Sequence, residues 1–73
     1  MNSIYYMPIT DYNENEKDYC WKLRFFNLDE GEYLEKLKSV SQRYKGRYES
    51  NDKNRDFIFS TKEDSEKFLN DLV

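Results

Sequence analysis

The sequence of 73 residues contains no histidine, a single cysteine, one proline and two glycines. Without histidine it lacks the commonest general base, the usual nitrogen ligand for metals and every Cys–His or Ser–His pairing that activates a nucleophile. The lone Cys20 can close no internal disulfide and complete no zinc site. A chain without such staples suits a reducing compartment, so a cytoplasmic location in a host cell is expected. Gly31 and Gly46 are too few and too far apart for a phosphate loop or a dinucleotide fingerprint. No apolar run approaches the roughly 20 residues of a membrane helix, and the N-terminus lacks the basic lead and apolar segment of a secretory leader. These absences predict a protein that is not an enzyme, needs no cofactor or metal and makes no membrane contact.

Two runs imitate a calcium loop. Asp52, Asn54, Asp56 and Glu63 hold its first, third, fifth and twelfth places, but Phe57 stands where the sharp turn needs glycine. Asp11, Asn13 and Asn15 begin a similar pattern, with Glu16 at the glycine place and Lys22 at the final carboxylate. Both read as Asn/Asp-rich turns.

What the chain has in abundance is aromatic surface: seven tyrosines, five phenylalanines and a tryptophan. Each can bury roughly 150–250 Å², enough to build one small domain over residues 1–73, although a chain this short buries only about 60% of its unfolded surface. Residues 19–26, YCWKLRFF, alternate with period two, setting Tyr19, Trp21, Leu23 and Phe25 on one face and Cys20, Lys22, Arg24 and Phe26 on the other. A helix follows, with Tyr33 or Leu34, Leu37, Val40 or Ser41, and Tyr44 at helical spacing. Asp29 and Glu32 predict its capping box, Leu28 and Tyr33 a hydrophobic staple, and Gly46 the left-handed residue that ends it.

Arg47–Ser50 and Arg55–Ser60 flank the polar turn NDKN and predict a β-hairpin, after which Ser60 or Thr61 caps a second helix carrying Phe68, Leu69 and Leu72. Near the N-terminus, SIYYM has strand propensity, Pro8 restricts that strand to an edge, and TDYNENEKD reads as a polar loop. Either Tyr5 or Tyr6 is expected to face away from the core. The order ββαββα predicts an α+β domain of two layers, a four-stranded antiparallel sheet with two helices on one face.

Charge is segregated along the chain: residues 1–35 sum to −5, residues 36–62 to +5 and residues 63–73 to −3. An electrically polarised molecule is therefore expected. The acidic front holds Asp11, Glu14, Glu16 and Asp18 around Tyr12, a candidate protein-binding surface that imitates phosphate and could occupy a basic groove. The basic middle holds Arg43, Lys45, Arg47, Lys53 and Arg55 with Tyr48, an alternative nucleic-acid-binding ribbon. Against that alternative, KGRY places Arg47 where an RNA-recognition motif requires an aromatic, and the sequence pI is 4.9. Tyr44 and Tyr48 also fit core positions.

From LEKLKSVSQRYKGRY through RDFIFSTKEDSEKFLNDL, residues 34–72, the chain resembles a helix, hairpin and helix module found beside DNA-processing enzymes of phages and plasmids. The acidic overall charge and the longer turn ESNDKN depart from that module. As a short, acidic, tyrosine-rich and cysteine-poor α+β protein it also resembles anti-CRISPR and related anti-defence proteins of phages. That resemblance implies an inhibitor, phage or mobile-element encoded, that binds a host protein or protein–nucleic-acid complex as a monomer or homodimer.

Overall fold

The computed structural model describes residues 5–14, 17–51 and 53–72, with Asn13 described in its backbone alone. The elements run β1 (Tyr5–Asn13), β2 (Asp18–Phe26), α1 (Glu32–Arg43), β3 (Arg47–Ser50), β4 (Asn54–Phe59) and α2 (Lys62–Asp71). The four strands form one antiparallel sheet in the order β1-β2-β4-β3. This is the expected ββαββα, α+β arrangement, with both helices on one face.

The core follows from the period-two pattern of β2 and β4. Leu23 and Phe25 of β2 share a face with Phe57 and Phe59 of β4, since Leu23 lies opposite Phe57 in the register. Leu34, Leu37 and Val40 of α1 and Phe68 of α2 close over them. The phenylalanine rings meet in three ways: Phe25 edge-on to Phe57 at 5.6 Å between centroids, Phe57 stacked on Phe68 at 5.4 Å and Phe59 tilted to Phe68 at 5.1 Å. Such contacts add to the area each ring removes from water, which is how a small chain secures a core without staples.

Four local expectations are corrected. The polar stretch after Pro8 is strand: β1 continues to Asn13, so the loop is a connection of four residues, 14–17, closed by Lys17 at φ 55. Pro8 is tolerated because β1 is an edge strand. As expected, one of the two tyrosines faces away from the core, Tyr5 on the helix-free side; Tyr6 on the helix side is exposed as well, since no helix among the described residues extends over that strand. Asp29 does not cap α1; the helix starts after Gly31 with no side-chain cap. Leu28 drops into the core and Tyr33 stays exposed, so the staple does not form. By contrast α2 is capped as expected, Thr61 Oγ1 accepting from the Asp64 N–H at 3.1 Å.

The fourth correction is at the end of α1. Lys45, at φ 61, takes the left-handed position that was assigned to Gly46. The Lys45 N–H donates to the Gln42 carbonyl at 3.2 Å and the Gly46 N–H to the Ser41 carbonyl at 2.8 Å, the paired bonds of a Schellman end with glycine one place later than expected. Glycine is required there for space: a Cβ on Gly46 would stand 2.6 Å from a ring carbon of Phe59 and 3.0 Å from Ser41 Cβ.

Gly46→Ala is therefore expected to lower stability by about 1–3 kcal/mol through overpacking, while Lys45→Gly raises it by up to about 1 kcal/mol by removing the left-handed penalty. Urea unfolding midpoints of the two variants would show shifts of opposite sign; equal shifts would contradict this account of the helix end.

Candidate functional site

The β1–β2 ribbon concentrates the exposed apolar surface. Of the six large hydrophobic residues exposed among those described, Tyr5, Tyr6, Met7, Tyr12 and Tyr19 lie on it, and Tyr33 of α1 is the sixth. The register explains the grouping: Tyr6 opposes Phe25 and Tyr12 opposes Tyr19, all on the helix side of the sheet. Neither helix extends over β1, so Tyr6, Pro8, Thr10 and Tyr12 are all exposed. At the ribbon tip, Tyr12 and Tyr19 stand edge to face, 5.2 Å between centroids, and are 48% and 57% exposed.

Carboxylates lie at the same end of the ribbon as that pair. Asp11 and Asp18 accept the N–H groups of Tyr12 and Tyr19 at 2.9 and 2.8 Å, and Glu14 is exposed in the turn. Each acid accepts from the backbone of the residue that follows it, and by the register both belong to the helix-free face, opposite the two rings. The hairpin thus brings together Asp11, Tyr12, Glu14 and Asp18; Glu16 lies outside the described residues. Tyr19 was expected on the core face and does face the helix side, but it lies beyond their cover and belongs to the tip. Its place at the polar end of the period-two run was the available signal.

The basic set is dispersed. Tyr48 and Arg55 are committed to the fold: Arg55 NH1 donates to Tyr48 Oη at 2.7 Å, Arg55 Nε donates to the Leu28 carbonyl, and the Tyr48 ring lies 5.2 Å from Phe57 and under Lys38 Nζ at 4.7 Å. Arg43 and Lys45 lie at the C-terminal end of α1, with Arg43 3.6 Å from Asp71, whereas Lys53 lies in the β3–β4 turn at the opposite end of the hairpin. Arg47 points to the helix-free face, in the same layer as Ile58 opposite it. No continuous phosphate-tracking stripe joins them.

That helix-free face also corrects the expected polarisation. Arg24 forks onto Asp56, with Nε–Oδ1 at 3.0 Å and NH2–Oδ2 at 3.1 Å, and the hydrogen bond holds the guanidinium above its ordinary pKa. Ile58 is 5% exposed although no helix covers it, because Lys22 and Arg47 flank it from the two neighbouring strands. Long basic side chains can shield apolar surface with their stems while their heads stay wet. Lys22 pairs with Asp11 at 3.6 Å, and a depression of about 250 Å³ there joins Asp11 and Glu14 to Lys22, Arg47 and Glu49. Charges separated by sequence thirds are thus mixed in space. A larger cleft of about 490 Å³ lies between the β2–α1 loop and the β3–β4 turn, where Asn27, Asp29, Lys53 and Asn54 line it.

Comparison with protein families, curated proteins and solved structures finds no match to this chain. No helix among the described residues is long and apolar enough to cross a membrane.

Two outcomes follow from these contacts. Arg55→Ala is expected to cost about 1–3 kcal/mol, since it leaves partly buried acceptors unpaired, whereas Arg47→Ala changes stability by no more than about 0.5 kcal/mol; thermal unfolding of both variants separates a structural arginine from a surface one. Tyr44 donates to Asp71 at 2.5 Å, a bond that raises the phenol above its ordinary pKa. The folded value exceeds the unfolded one of about 10, so this contribution is complete below that pH and fades as pH rises through the folded value. The stability gap between the native chain and Tyr44→Phe should therefore be constant near neutrality and narrow in alkali; a gap that widened would refute it.

Proposed function

We propose that this chain is a non-enzymatic binding protein whose β1–β2 tip docks onto a basic surface of a nucleic-acid-handling protein and blocks it. The observation that supports this reading is the Tyr12–Tyr19 pair, about half exposed, at the same end of the ribbon as Asp11, Glu14 and Asp18. Tyrosine supplies a rigid, amphipathic anchor, and surrounding carboxylates steer it to a positive partner. Carboxylates and flat rings at one end of a ribbon also offer what a basic groove normally receives, phosphate charge together with bases. The partner class is a host protein or protein–nucleic-acid complex of the nuclease kind, and the resemblance to anti-defence proteins points the same way.

The competing reading, direct nucleic-acid binding by the 43–55 segment, draws less support, because Tyr48 and Arg55 are held within the fold.

The test pairs two experiments. Affinity capture from host extract should retain a nucleic-acid-handling protein, released by added salt, and Glu14→Lys with Asp18→Lys should cut the association rate by about tenfold or more. Labelled single- and double-stranded DNA and RNA should show no mobility shift with the free protein. A salt-sensitive shift, or capture unaffected by the charge reversals, would defeat the proposal.

A further inference from the structure

The two edges of the sheet are treated differently. β3 is four residues long and carries Arg47 and Glu49 on one side, the short, charged kind of edge that resists pairing with another chain. β1 is nine residues long, YYMPITDYN, with Asp11 its lone charge, paired with Lys22; its one blunting feature is Pro8, which removes a single donor. Among the described residues no strand pairs with its outer side.

Pro8 sets the parity of that bare edge. A proline within an edge strand is placed where the missing N–H faces away from the neighbouring strand. Along a strand the direction of the backbone groups alternates, so Thr10, Tyr6 and Tyr12 also turn their N–H and carbonyl groups outward, while Tyr5, Met7, Ile9 and Asp11 turn theirs toward β2. Only even-numbered residues can therefore bond to an added strand.

We propose that two copies of this chain pair through the outer edges of β1, antiparallel, about a two-fold axis at Ile9. In that register Ile9 opposes the second copy's Ile9, Pro8 opposes Thr10, Met7 opposes Asp11 and Tyr6 opposes Tyr12. It uses the whole strand and sets no like charges opposite one another; of the even residues Pro8 can only accept, and the Tyr12 N–H exchanges Asp11 for the second copy's Tyr6 carbonyl.

The aromatic pattern selects the same register. Within one copy Tyr6 lies 5.6 Å from Phe25 and Tyr12 lies 5.2 Å from Tyr19, one pair toward each end of β1 and both on the helix side. Setting Tyr6 against the second copy's Tyr12 joins these pairs into a row of four rings, Tyr19, Tyr12, Tyr6 and Phe25, formed twice by symmetry. Centring the axis on Pro8 or Thr10 would break that row. The four half-exposed tyrosines contribute roughly 400 Å², and the rest of both strands brings the interface to the order of 1,000 Å², the lower bound of a specific one. The product is a continuous eight-stranded sheet with four helices on one side. The ring row takes in Tyr12 of the proposed docking tip, while Tyr19 and Asp18 lie one strand away on β2; the dimer is read from mass and cross-linking alone, so its failure and that of the docking reading are distinguishable.

Sedimentation velocity of the native chain between about 1 and 500 µM, the range fitted to so small an interface, should show the mass double with concentration. Thr10→Pro removes one more outward N–H, and Tyr6→Glu breaks the ring row; both should remain monomeric with an unchanged circular-dichroism spectrum. Ile9→Cys in a Cys20→Ser background should oxidise to a covalent dimer much faster than Met7→Cys, because cysteines on the axis approach to a Cα separation near 4.5 Å, within disulfide range. A single monomer mass throughout, or equal cross-linking at positions 7 and 9, would overturn the proposal. So would a native dimer that Tyr6→Glu leaves intact.

Discussion

β4 is buried on both faces, and the rest of the fold depends on that constraint. Phe57 and Phe59 lie under the helices, while Asp56 and Ile58 lie on the other side, where only neighbouring side chains cover them. A slip of one residue in the pairing of β2 with β4 would turn Asp56 into the phenylalanine cluster and strand its charge. The bidentate Arg24 bond holds the correct register from one face as the rings hold it from the other. Once β4 is fixed, β2 and β3 take its two sides, and both helices settle where the phenylalanines are.

The ribbon is the consequence. With the helices packed over β2, β4 and β3, no helix or strand among the described residues covers β1 on either face or along its outer edge. The chain places tyrosine there rather than phenylalanine, and a tyrosine tolerates exposure because its hydroxyl stays hydrated while its ring remains available for contact. A tip of tyrosines and carboxylates and a long edge of low charge are two surfaces on one ribbon that share Tyr12. A protein using both would present paired acidic tips from a rigid sheet.

Much of the fold was legible locally. YCWKLRFF alternates as a strand that is covered on one face, and the structure buries Leu23 and Phe25. Thr61 caps α2 three residues before Asp64, and Leu34, Leu37, Val40 and Ser41 face inward from α1. Errors arose where local signals had two uses. Asn and Asp after Pro8 favour turns, yet an edge strand exposed on both faces tolerates polar residues, so TDYN became strand. Asp29 and Glu32 match a capping box, but burying Leu28 delays the helix. Gly46 suits a left-handed position, but it is needed for its lack of a side chain beside Phe59.

The sequence by itself determined the elements and their inward faces, because period, caps and turn residues act over three or four positions. It also brought Asp11, Tyr12, Glu14 and Asp18 together, since a hairpin tip is local. Only the tertiary structure decided which side chains remain free to act. Tyr48 and Arg55 are drawn into the fold by Phe57 and the Leu28 carbonyl, contacts set by the order β1-β2-β4-β3 and by where the helices dock. The same long-range order brings Arg47 beside Lys22 and Asp11, mixing charges that the chain keeps apart, and leaves Tyr19 uncovered at the tip.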